Sequence, residues 1–131
     1  MSLKIVQEQP PFISELGKVF RLPESAVMTV GNILYNPSGN LIDAPLLAHE
    51  EAHSLRQGNK PNEWWQRYLS DDKFRFGEEL LAYKIQYQEA KKYIKDRNAL
   101  FRYALRLARD FSGPMYKLPI STSEALGLIR M

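Results

Sequence analysis

A chain of 131 residues, 44% hydrophobic and 25% charged, has the composition of one ordinary globular domain with one core. It contains no cysteine, which excludes disulfides, zinc ribbons and thiol catalysis, so any transition-metal site must be built from His, Asp and Glu. The formal charge of +3 is too small by itself to argue for nucleic acid, and no apolar run approaches the roughly 18–20 residues needed to span a bilayer.

Residues 1–10 lack the apolar core of a signal peptide, so the expected compartment is the cytoplasm. After Pro10-Pro11, the apolar residues Phe12, Ile13, Leu16, Val19 and Phe20 recur at helical spacing, up to the breaker Arg21-Leu22-Pro23-Glu24. Residues 26–30 and 33–35 are rich in β-branched and aromatic side chains and read as strands. Gly31-Asn32 between them fits a tight hairpin turn or a bulge within one long strand; the bulge is the preferred reading. Residues 36–40 are turn chemistry. A helix then starts near Asp43, a natural N-cap, with Pro45 in its first turn where a missing N–H costs nothing. It stops at Gly58. Ala48, Ala52 and Leu55 line one face of it, for close packing on the core, and His49, His53 and Gln57 line another.

Residues 62–69 read as a short helix, and Ser70-Asp71-Asp72 caps the next, which runs from Lys73 to about Lys95. Asp96-Arg97-Asn98 breaks the pattern. Leu100, Ala104, Leu107 and Phe111 then repeat at i, i+4, i+7 and i+11, as far as Ser112-Gly113-Pro114. Ser121-Thr122-Ser123-Glu124 is a capping box for a last short helix. The expected fold is a single, mostly helical α+β domain over residues 1–131 with a small sheet near its N-terminus.

The only two histidines stand four apart in His49-Glu50-Glu51-Ala52-His53. On a helix they lie one turn above each other, so both imidazoles can converge on one ion, and Glu50 is offset by about 100° around the axis. That is the HExxH arrangement. A zinc site of this kind needs a third protein ligand and an open fourth position. With no third histidine, the third ligand must be a carboxylate, and Glu78 and Glu79 on the following acidic helix are the candidates.

An HExxH helix followed by such an acidic helix resembles the gluzincins, zinc peptidases whose third ligand is a glutamate in E-x-x-A or E-x-x-S. Glu79-Leu80-Leu81-Ala82 fits that pattern and Glu78 does not, so the resemblance implies a minimal zincin-like domain with His49, His53 and Glu79 on Zn2+. Glu78 becomes an exposed or supporting neighbour. The run from Leu46 to Tyr87 is also similar to small metallopeptidase-like proteins of bacteriophages and prophages. The matching pieces are the HEExH motif, Gln57, Trp64-Trp65-Gln66-Arg67-Tyr68-Leu69, Phe74-Arg75, and Glu79 with Ala82-Tyr83; together they cover about a third of the chain. Glu51 departs from the uncharged residue usual at its position in peptidases, and its helical position predicts an exposed side chain.

The implied chemistry is hydrolysis of a peptide or protein substrate. Zinc acidifies a water and polarises the carbonyl, and Glu50 acts as general base. Tyr83 and Arg75, each four residues from Glu79, are the candidates for stabilising the oxyanion, and Arg75 has the alternative role of holding the Glu79 carboxylate. Residues 27–35 are the suggested substrate-facing edge. Trp64 and Trp65 read as core, and Gln57 as a helix-end cap. Two other functions compete: an inactive, metal-stabilised adaptor or virion component, and a nucleic-acid-binding module. The second would use residues 84–110, where eight Lys or Arg face three acidic residues. Such a run is more often a solvated helix face, so nucleic acid is the less favoured partner.

Overall fold

The computed structural model describes residues 3–20, 22–23 and 25–131. Among these, six helices and a three-stranded mixed sheet make an α+β fold. The sheet comprises β1 (Lys4–Val6), β2 (Met28–Val30) and β3 (Ile33–Tyr35), in the order β1-β3-β2. No helix among the described residues is long and apolar enough to cross a membrane.

Gly31-Asn32 is a hairpin turn, not the bulge preferred from sequence. Val30 pairs with Ile33 and Met28 with Tyr35 across an antiparallel ladder, leaving two residues for the loop. Gly31 takes φ 62°, the left-handed first position that a type II′ turn demands. β1 was not legible in the sequence: it is three residues long, lies at the sheet edge and is largely exposed. It pairs in parallel with the central strand β3, and two flanking bonds, Lys4 N–H to Asn32 O and Asn36 N–H to Val6 O, both 2.8 Å, fix its register.

The helices are α1 (Ile13–Val19), α2 (Ala44–Gln57), α3 (Pro61–Ser70), α4 (Asp72–Ala90), α5 (Arg97–Ser112) and α6 (Thr122–Arg130). Their ends follow cap chemistry. The Asp43 carboxylate accepts from Leu46 N–H and Gly58 closes α2; Asp71 caps α4, Asp96 caps α5, and Ser121 with Glu124 forms the capping box of α6. α4 stops at Ala90, five residues short of the sequence expectation, and a turn leads on to the Asp96 cap.

α2 and α4 pack antiparallel, since contacts from His49 to Gln86, His53 to Glu79 and Arg56 to Glu78 run in opposite chain directions. Ala52 and Ala82 are buried at small cost in volume and let the axes approach. Leu55, expected on the packed face, is 66% exposed. The face that α2 buries is instead largely polar: His49, Glu50, His53, Ser54 and Gln57. A polar face survives burial when its groups are met by partners, and here β2, the turn after it and α4 provide them, with His53 Nδ1 left without one. Behind α4 the core is aromatic, with Trp64, Trp65, Tyr68, Tyr83, Phe111 and Tyr116 packed on Leu107 and Ile129.

Candidate metal centre

His49 and His53 project from consecutive turns of α2, their Nε2 atoms 3.2 Å apart and their rings edge to face. Glu79 of α4 meets both: its Oε1 lies 3.3 Å from His49 Nε2 and its Oε2 3.2 Å from His53 Nε2. All three side chains are buried. Ligand atoms held about 2.0–2.1 Å from a tetrahedral ion are separated by about 3.3 Å; the two Nε2 atoms meet that separation, and the Glu79 carboxylate spans them with one oxygen toward each imidazole. Glu50 stands alongside, its Oε2 3.7 Å from His49 Nε2, and His49, Glu50 and His53 form a buried group able to hold a metal ion.

Glu79 is better placed than Glu50 to be the carboxylate ligand. It touches both imidazoles, and its Oε1 is buried without a hydrogen-bond donor. A buried carboxylate oxygen left bare costs free energy unless a cation meets it. Glu50 Oε1, by contrast, already accepts from Thr29 Oγ1 at 2.9 Å. Glu78 points elsewhere: Arg56 donates to its carboxylate from Nη2 at 2.9 Å and Trp64 from Nε1 at 2.8 Å. It is buried, which removes the exposed alternative of the two expected for it.

The groups around these ligands fix their geometry. His49 Nδ1–H donates to Gln86 Oε1 at 2.9 Å, and Gln86 Nε2 donates to Tyr103 Oη at 3.0 Å. This bond sets the tautomer and leaves the Nε2 lone pair of His49 free for an ion. Tyr68 Oη–H donates to Glu79 Oε2 at 2.7 Å. Without an ion, a proton bridges the site. Burial works against charge on His53, but the adjoining Glu79 carboxylate outweighs it and raises the pKa to about 9. Burial likewise opposes the Glu79 anion, and the imidazoles overcome it, holding its carboxyl well below the usual carboxylate range. Burial pushes the hydroxyls of Tyr68, Tyr83 and Tyr116 up, so all three remain proton donors at neutral pH.

No family model matches the chain, and neither the curated proteins nor the solved structures searched show a significant similarity to it. The arrangement of side chains alone therefore carries the reading of the site. A crevice of about 30 Å³ lies among His49, Glu50, His53, Glu79, Thr29 and Tyr116. Its neighbour is a cavity of about 670 Å³, lined by Leu22, Val27, Leu41 and Met115 together with His49, Glu50, Tyr83 and Tyr116.

Of the residues named from sequence, His49, His53, Glu50 and Glu79 come together here, and Tyr83 borders the cavity with its ring edge-on to His49 at 4.7 Å. Arg75 does not join them. Its Nε donates to Tyr116 O at 2.9 Å and its Nη1 to Tyr68 O at 2.7 Å. It is therefore spent on backbone carbonyls, neither holding Glu79 nor facing the cavity. Gln57 is more than a helix-end cap: its Oε1 accepts from Gly31 N–H and its Nε2 donates to Thr29 O, tying the hairpin to α2. Sequence reading missed Thr29, Tyr68, Gln86 and Tyr116. Only Gln86 had a local signal, seven residues beyond Glu79 and so on the same face of α4.

Proposed function

We propose that the protein is a zinc-dependent hydrolase of peptide bonds, with His49, His53 and Glu79 as ligands and Glu50 as general base. The observation that carries this reading is the meeting of two imidazoles and the carboxylate that spans them, all buried, with Glu50 beside them and one of its oxygens held by Thr29. Two neutral imidazoles and one carboxylate, without cysteine, are the donor set of catalytic zinc. An ion held there supplies Lewis acidity, acidifying a water and polarising a substrate carbonyl.

The protein's own groups do the rest. Glu50 has one oxygen fixed by Thr29 and the other free toward the crevice, placed to take a proton from water and return it to the leaving amine. Tyr83 and Tyr116 share a hydrogen bond of 2.8 Å between their hydroxyls. Two hydroxyls carry two protons and one bond uses one of them. The second is available to a substrate oxygen where both residues line the cavity, which makes this pair, in place of Arg75, the donor to a developing oxyanion. The aliphatic part of the cavity lining, Leu22, Val27, Leu41, Leu46 and Met115, suits an apolar side chain of the substrate, beside the charged Asp43, Arg106, Arg109 and Asp110.

Metal analysis of the purified protein should find close to one zinc per chain. Glu50→Gln should retain that zinc and abolish cleavage across a mixed peptide library. A protein that takes up no zinc from trace-zinc buffer, or a Glu50→Gln variant that cleaves as the wild type does, overturns the reading.

A further inference from the structure

Glu50 and Glu79 both bring a carboxylate to the imidazoles, yet an open site needs only one of them as ligand. Glu50 Oε2 is 3.7 Å from His49 Nε2, within a short side-chain rotation of any ion held by the two histidines. A second carboxylate there would fill the fourth position and turn an open site into a closed, structural one. What restrains Glu50 is one side chain. Thr29 Oγ1 donates to Glu50 Oε1 at 2.9 Å, and Thr29 is 1% exposed.

That hydroxyl is held in place from several directions. The carbonyl of Thr29 accepts from Gln57 Nε2 at 2.8 Å and from Trp65 Nε1 at 3.1 Å. One residue past the end of β2, Gly31 donates its N–H to Gln57 Oε1 at 2.7 Å and accepts from Ser54 Oγ at 2.7 Å. The hairpin is thus tied to α2 and α3 at Thr29 itself and at the turn just beyond it, which holds Thr29 back from following Glu50 toward the crevice. The same bonds occupy the Thr29 carbonyl on the outer edge of β2, which therefore lacks that acceptor for a substrate strand.

We propose that Thr29 is a positioning residue that keeps Glu50 off the ion, and that its hydroxyl decides between an open, hydrolytic centre and a closed, structural one. This rests on the zinc reading given above. Without the hydroxyl, Glu50 Oε1 loses its partner and its best remaining partner is the cation, so metal affinity rises while the open position is lost.

The test uses cobalt(II)- and zinc-loaded full-length protein, comparing wild type with Thr29→Val and Thr29→Ser. Val keeps the shape and removes the hydroxyl; Ser keeps the hydroxyl. Competition with a chelator should show zinc held at least about tenfold more tightly by Thr29→Val. The visible cobalt spectrum of that variant should no longer respond to acetohydroxamate, which needs an open position, whereas wild type and Thr29→Ser should respond. The double variant Thr29→Val/Glu50→Gln should return to wild-type affinity, since the gain acts through Glu50. Should Thr29→Val not fold, Thr29→Ala removes the same hydroxyl. In wild-type background, Glu50→Gln alone should leave zinc affinity unchanged; a tenfold loss there would mean that Glu50 is already a ligand and would overturn the proposal. Unchanged affinity and a retained acetohydroxamate response in Thr29→Val would overturn it too, leaving the zinc reading intact. Failure of the wild type to bind either metal would instead remove the zinc reading itself.

Discussion

Glu79→Gln in the metal-free protein tests the electrostatics of the centre directly. Gln keeps the size of the side chain and an oxygen able to accept from Tyr68, so the change is mainly loss of the charge facing His53. The folded-state pKa of His53 is raised from 6.5 to about 9. A raised histidine contributes stability that is fully present below its unfolded value and lost as pH climbs through the folded one. Glu79, whose carboxyl is depressed from 4.5, contributes stability that is present above the unfolded value and lost in acid. Both describe one ion pair, counted once, and it is at full strength between about pH 4.5 and 6.5. At about 1.4 kcal/mol per pH unit, the rise of His53 corresponds to about 3 kcal/mol.

Urea unfolding of chelator-treated wild type and Glu79→Gln should therefore differ by about 3 kcal/mol near pH 6. Near pH 10, where His53 is neutral in both states, the difference should shrink to within about 1 kcal/mol. Equal losses at the two pH values would refute the pairing and reduce Glu79 to an ordinary packing residue.

Zinc must displace the His53 proton, so calorimetry near pH 6 in buffers of different ionisation enthalpy should report close to one proton released per zinc bound, and no release would contradict the bridged site. Gln86→Leu frees the imidazole of His49 from its acceptor and should weaken zinc binding by about 10–100-fold with little change in melting temperature; an unchanged chelator competition would show that the bond is incidental. Arg75→Met removes two bonds to buried carbonyls and should lower unfolding free energy by about 2–4 kcal/mol, with zinc content unchanged; a selective loss of zinc would restore the arginine to the site. Gly77 lies exposed in the middle of α4, and an added Cβ meets nothing within 4 Å. Gly77→Ala should therefore raise stability by about 0.5–1 kcal/mol in denaturant melts, and a loss would indicate strain in α4 next to Glu78 and Glu79.

The helices were legible because local chemistry fixes them. Asp43, Asp71 and Ser121 each cap a helix where a cap is read from the sequence, and Asp96, read there only as a break, caps α5; such bonds close within three residues of chain. The histidine pair was legible for the same reason, since a four-residue spacing on a helix is a local fact. What the sequence could not fix were partners whose identity depends on how elements pack. β1 is too short and exposed to carry a pattern, and the Gly31-Asn32 hairpin competes with a bulge until the pairing partner is known. Arg75 and Tyr83 share a helix face with Glu79, but the packing of the loop after α5 against α4 captures the arginine with the Tyr116 carbonyl.

Thr29 shows the same limit most sharply. Its neighbours in the chain mark it only as one β-branched residue in a strand, and 21 residues separate it from Glu50. It reaches Glu50 because the hairpin folds back onto α2, where Ser54 and Gln57, with Trp65 of α3, bond the hairpin backbone. The polar face of α2 thus joins two parts of the proposed centre: its histidines would hold the metal, while Ser54 and Gln57 dock the strand that carries Thr29. A helix with apolar residues at positions 54 and 57 would keep the motif and lose that restraint. In the proposed centre, the motif thus sets where a metal can sit, and the docked hairpin sets which carboxylate would be left free to act.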